Sequence, residues 1–261
     1  MHPTGGGNVE AEHMKRDDVW IHRPTRERLL VFAPVAFADD FIGAGAVVIP
    51  AAGSPESSTP WVKKIVGAGP PTVAGIANAV NGRVRCALEV TSEKQDAALY
   101  HNDQRNWTLG QGLEIECGIT ISTLPTGSGR IVFGLAGTWA DGPDAMARSI
   151  WFQLKPGGTL FAEVDDDVTD TSADTGIRIT AGEDALFGIN CRDLANIRFT
   201  KNGTSVTPEG TRFVYTGSGA NAQMQPYFSV YKATGTGVGA VDIDFAKLWQ
   251  RRENFIAPGG M

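Results

Sequence analysis

Glu114 and Glu116 stand two residues apart in the run LEIECGITI (113–121), and they are the first side chains suited to acid–base chemistry. In a strand a two-residue step spans about 6 to 7 Å and returns to the same face. Two carboxyls on one face, roughly 5 Å apart across a glycosidic bond, are what retaining hydrolysis requires. Glu163 and Asp165 form a second such pair, at the point where TLFAEV runs into an acidic loop. Alternation alone also puts polar residues on the solvated face of a half-buried strand, and that is the reading preferred for both pairs.

The acidic run Asp165-Asp166-Asp167-Val168-Thr169-Asp170 is a candidate calcium loop, with Asp165, Asp167 and Asp170 as ligands. Calcium takes six to eight oxygens. The run has neither the glycine nor the terminal Glu of an EF-hand loop, so an exposed acidic turn is the simpler expectation. His2, His13, His22 and His101 are not set beside Cys or carboxylate at metal spacing. The chain has no G-x-S-x-G elbow and no phosphate loop, and GAGAVV (43–48) lacks the third glycine of a dinucleotide fingerprint. No catalytic residue, no metal and no cofactor is expected. Trp151 lies in an apolar strand and reads as core. Trp139, in TWADGPD, is either a loop lid on the core or a contact for a partner; as an aromatic platform it is the candidate glycan-binding residue.

These residues must be positioned by strands. The 261-residue chain is 42% hydrophobic, with 32 Gly and 14 Pro, which suits many turns. A net charge of −6 argues against a dedicated nucleic-acid binder. No long apolar run predicts a membrane span, and no apolar leader marks a signal peptide. Cys86, Cys117 and Cys191 are too scattered for a disulfide framework and read as buried thiols, consistent with assembly in a reducing cytoplasm.

Residues 1–36 read as an extended N-terminal arm, with Lys15, Arg16, Arg23, Arg26 and Arg28 as charged contacts and Trp20 and Ile21 as apolar anchors. Residues 37–80 are Gly- and Pro-rich and are either an attachment region or the first strands of the main domain. Residues 81–252 alternate in short runs between turn signals, including Asn81-Gly82 and Asn202-Gly203. Asp165 to Thr175 reads as a loop, and Arg212 to Thr216 as a strand. Val84, Cys86, Leu88 and Val90 share one face. In AVDIDFAKLW (240–249), Val241, Ile243 and Phe245 are expected on the core face. A short tail, 253–261, follows. The sum is an all-β protein: an antiparallel two-sheet sandwich.

Two stretches carry a resemblance. NIRFTKNGTSV (196–206) resembles the strand–turn–strand of concanavalin A-like lectin/glucanase jelly rolls, with Asn202 where that family usually has Asp. VDIDFAKLW (241–249) is similar to its last strand. Glycosidases of that family carry E-x-D-x-x-E, and after Glu114 and Glu116 the third acidic residue is missing here. A wider resemblance, over IPAAGSPESSTPW (49–61) onward, WADGPD, and QPYFSVYKATGTGVGAVDIDFAKLW, is to uncharacterised structural proteins of tailed bacteriophages. It implies a non-enzymatic virion component on the capsid surface, a decoration or cement protein. Its partners would be the major capsid protein and further copies of itself, as a homotrimer in preference to a dimer. A tail or fibre module binding a host glycan is the alternative.

Overall fold

The computed structural model describes residues 35–42, 48–54 and 59–251, together with the backbone of three strands nearer the N-terminus. In chain order the strands are β1 (His13–Arg16), β2 (Val19–His22), β3 (Arg28–Leu29), β4 (Val35–Asp39), β5 (Val62–Val66), β6 (Thr72–Gly75), β7 (Val84–Ala87), β8 (Gln95–Tyr100), β9 (Trp107–Thr108), β10 (Glu114–Thr123), β11 (Gly129–Ala136), β12 (Ser149–Lys155), β13 (Thr159–Asp165), β14 (Asp170–Arg178), β15 (Asp184–Asn190), β16 (Arg198–Lys201), β17 (Thr204–Ser205), β18 (Gln223–Lys232) and β19 (Ala240–Gln250). Helical structure among the described residues is confined to short 3-10 turns such as Pro143–Ala145.

The strands make two antiparallel sheets. Sheet I runs β17-β16-β15-β10-β19-β7-β6, with β4 along the second half of β19. Sheet II runs β14-β13-β12-β11-β18-β8-β5, with β9 against the start of β18. The alternation read from the sequence sets the faces. Leu113, Ile115, Cys117, Ile119 and Ile121 from sheet I meet Phe133, Phe152, Leu154 and Phe228 from sheet II in one continuous core. Phe187 sits edge-on to both Phe133 (4.8 Å) and Phe152 (5.1 Å), the arrangement that aromatic quadrupoles prefer. All three cysteines are free and buried in this layer, and burial pushes their thiols up.

The turn signals act as expected. Asn202 (φ 51°) and Gly203 (φ 75°) close the hairpin between β16 and β17, and the Asn202 side-chain oxygen accepts from the Leu186 N–H at 2.8 Å. Asn81 and Gly82 are both left-handed, and a β-carbon on Gly82 would lie 2.5 Å from the Phe41 carbonyl oxygen.

Four sequence expectations change. Asp244 is an extra residue in β19: Gly118 pairs with Phe245, and Ile119 with Ile243. This bulge turns Phe245 outward over Gly118, where a β-carbon would be 2.8 Å from its ring, and sends Ala246 into the core in its place. Asp170 to Thr175 belongs to β14 rather than to a loop; this polar edge strand has no apolar run to announce it. Arg212–Thr216 makes only a single bridge, Ile197 to Phe213. Val90 lies beyond the end of β7 and is exposed. In the 37–80 stretch, β5 and β6 join opposite sheets, and β4 begins at Val35. The N-terminal β1, β2 and β3 pair with one another, Lys15 with Trp20 and Ile21 with Arg28.

Candidate functional site

The outward face of sheet II gathers the polar and aromatic groups suited to recognition. Alternation aims Asp96 and Tyr100 from β8, Tyr227 and Ser229 from β18, and Trp151 from β12 away from the main core. Trp151 and Tyr227 both pair with Gly134 in the ladder, and their rings lie 6.0 Å apart. With Val62, Ala98, Tyr100, Val132, Ala136 and Met146 they form a second apolar cluster.

This face is covered by the chain's own loop, residues 137–148. Trp139 and Ala140 pack on the second cluster, and Met146 is part of it. The loop base is closed by the Gly137 N–H donating to the Arg148 carbonyl at 2.9 Å, and by Gln225 Nε2 donating to the Gly137 carbonyl at 2.7 Å. The Trp139 N–H donates to Asp103 Oδ1 at 2.7 Å, and Lys64 Nζ sits 4.8 Å above the indole. Trp139 is therefore a lid on the sheet, half-buried, with Trp151 and Tyr227 fully buried beside it.

Asp96 lies under that loop with no exposed surface. Ser229 Oγ donates to its Oδ1 at 2.6 Å, while Oδ2 has no hydrogen-bond partner. Burial pushes its pKa up to about 7, opposed by the Ser229 hydroxyl and the Trp139 indole. That indole N–H faces the carboxyl outside hydrogen-bond geometry and is itself unpartnered, as is the Tyr227 hydroxyl. Glu163 on β13 accepts from Trp151 Nε1 at 3.0 Å, and burial raises its pKa too. Asp96, Ser229 and Tyr227 escaped the sequence reading because β8 and β18 are buried on both faces, so no alternation marks them.

The other predicted residues are scattered. Glu114 and Glu116 point outward from sheet I, the opposite sheet from Glu163 and Asp165. Glu114 is buried in an ion pair with Arg192, and Glu116 stands across the ladder from Lys247. The same face holds Arg85 on Asp242 (2.6 Å) and Arg83 on Asp184 (3.1 Å). In the acidic run, Asp165 faces Asp170 across the β13–β14 hairpin and accepts from the Asp167 N–H at 2.9 Å. Asp166 does structural work: it accepts from the Val168, Thr169 and Thr216 N–H groups and the Thr216 hydroxyl. Among the described residues no group of three or more His, Cys, Asp or Glu is placed to hold a metal ion. Of the arm residues, Lys15, Arg16, Trp20, Ile21 and Arg28 are placed by backbone alone, and Arg23 and Arg26 lie outside the described residues.

No protein-family model and no curated protein matches the chain. Solved structures do. A protein of unknown function from Shewanella oneidensis MR-1 is 12% identical, with a TM-score of 0.56 over 85% of this chain and 89% of its own. A glycosyl hydrolase family protein from Mycobacterium fortuitum is 15% identical, with a TM-score of 0.51 over 82% and 98%. An endo-β-1,4-glucuronan lyase from the fungus Trichoderma reesei is 13% identical, with a TM-score of 0.50 over 72% and 90%. The fold is a concanavalin A-like jelly roll. Identities this low speak to architecture alone, since one jelly roll hosts many functions. None of these three is described as a virion protein. No helix among the described residues is long and apolar enough to cross a membrane.

Proposed function

We propose that this jelly roll is a non-enzymatic structural component of a tailed-phage virion, bound at the capsid surface and bridging neighbouring subunits. The observation that carries the non-enzymatic part is that one carboxylate of each candidate pair is engaged by a neighbouring side chain. Glu114 is tied to Arg192, Glu163 to Trp151, and the two pairs stand on opposite sheets. A glycosidase needs two carboxyls facing one bond. The sheet II face is in addition filled by the Trp139 loop, which suits a surface used for contact. The bridging part rests on the phage resemblance and on the mixed-charge N-terminal arm, whose strands pair with one another outside the two main sheets. Many weak contacts repeated by capsid symmetry would add through avidity.

The test is binding of the full chain and of a chain lacking residues 1–30, which spares β4, to shells stripped of this protein. The reading expects a folded truncated protein that no longer decorates. Full occupancy by the truncated protein would overturn the bridging role of the arm.

A second reading has one observation in its favour. Trp139, Trp151, Tyr100 and Tyr227 share the sheet II face with Asp96 and Glu163, the residue types that a glycan face uses. A host glycan in a tail or fibre setting is then the ligand. Glycan-array binding that disappears in Trp139→Ala would favour this reading, and no binding by either protein would count against it.

A further inference from the structure

Asp96 is the most deeply buried carboxyl among the described residues, and the loop above it closes over unfinished hydrogen bonding. Asp96 Oδ2, Trp139 Nε1 and the Tyr227 hydroxyl are all buried and all unpartnered. Buried polar atoms are nearly always satisfied, so three orphans near one carboxyl call for an explanation. The loop is a discrete segment closed at its base and packed at its tip. Its ends are pinned at Gly137 and Arg148. Gly142 near its tip has φ 110°, and a β-carbon there would lie 2.8 Å from the Tyr231 ring. Between these points its outer edge is held by ion pairs to solvent-facing side chains, Asp141 to Lys94 (2.6 Å) and Asp144 to Arg130.

We propose that residues 137–148 form a lid operated by the protonation of Asp96: the neutral acid keeps it down, and ionisation lifts it to uncover the Trp151–Tyr227 face. The closed lid gives an ionised carboxylate one well-formed hydrogen bond, from Ser229 Oγ, and a poorly aligned Trp139 indole N–H, and burial outweighs both. Lifting the lid brings water to Asp96, Tyr227 and Trp139 together.

Among the groups facing Asp96, Lys94 supplies a compensating charge, and burial outweighs it. From β18 come Ser229, Tyr227 and Tyr231, and from β8 Tyr100, all neutral near pH 7. Lys94, next to Asp96 in sequence, is engaged by Asp141 of the lid, whose own charge opposes ionisation. Lys64 on β5 lies over the Trp139 ring. From the facing sheet the neighbour in electrostatic reach is the un-ionised Cys86 thiol. The sign follows. Closing the lid raises the Asp96 pKa above that of a hydrated carboxyl, so closure takes up a proton and is favoured below about pH 7. The inference concerns the lid itself and stands whichever partner meets the uncovered face.

The experiment is an NMR titration of the whole protein from pH 5 to 9, following the Trp139 indole N–H, assigned through Trp139→Phe, and the amides of 138–146. The wild type should titrate with a midpoint at or below about pH 7, and Asp96→Asn should show the closed-lid spectrum throughout. Ser229→Ala removes the donor to the carboxylate and should move the midpoint up, which keeps the test open if Asp96→Asn fails to fold. A lid that does not respond between pH 5 and 9, an unchanged transition in Asp96→Asn, or an unmoved midpoint in Ser229→Ala would overturn the proposal.

Discussion

Replacing Lys232 by Met should destabilise the sandwich by about 3 kcal/mol. The Lys232 side chain is fully buried, and its ammonium donates to the carbonyls of Glu89 (2.6 Å), Thr91 (2.7 Å) and Gly237 (3.1 Å). It therefore ties the 89–91 loop to the glycine-rich turn before β19. Each charge-assisted bond contributes roughly 1.5–3 kcal/mol, so three give about 4.5–9 kcal/mol. Taking an ammonium out of water costs several kcal/mol, which offsets about half of that sum. The same burial holds the amine's pKa down. Met preserves the apolar stem but leaves three carbonyls to find water. Urea unfolding followed by fluorescence should show a midpoint lowered by about 1 M at an unchanged slope, taking a slope of about 3 kcal/mol/M. A loss below about 1 kcal/mol would mean that those carbonyls are satisfied without the cation, and would refute the reasoning.

Three further outcomes are expected. Hydrogen bonds from the Ala68 and Gly69 N–H groups hold Glu93 down to about 2, so its contribution is full above the usual Glu value and is lost as pH falls toward 2. The stability gap between wild type and Glu93→Gln, measured by urea titration, should shrink over that window. Asp96 has the opposite sign: its contribution is full below about pH 4 and is lost as pH rises through about 7, so the stability of Asp96→Asn relative to wild type should climb across that range. Gly82→Ala should cost at least about 2 kcal/mol, because its β-carbon meets a carbonyl at 2.5 Å, whereas Gly203→Ala, with open space at φ 75°, should cost only about 1 kcal/mol. Equal losses in the two variants would show that backbone strain alone sets the cost.

The sandwich was legible because its central strands alternate cleanly. LEIECGITI points five apolar side chains at the core, and Asn202-Gly203 closes the hairpin that such a pair of residues announces. What stayed hidden lies where alternation fails. The Asp244 bulge shifts the face of Phe245 by one residue, and a bulge depends on what lies opposite, here Gly118. The first six residues of the edge strand β14 are polar but for Ala173, and a sequence reading takes that stretch for a loop. The candidate site was half visible. Trp139 stood out as an aromatic in a loop, but Asp96 and Tyr227 sit in strands covered on both faces, one by the core and the other by a loop distant in sequence.

The proposed virion role is tested most directly by cryo-electron microscopy of intact tailed-phage particles from a lysate in which this chain is detected. The account predicts jelly-roll density on the shell at local symmetry axes, with the N-terminal residues reaching a neighbouring subunit. Density confined to the tail, or particles without the chain, would contradict it.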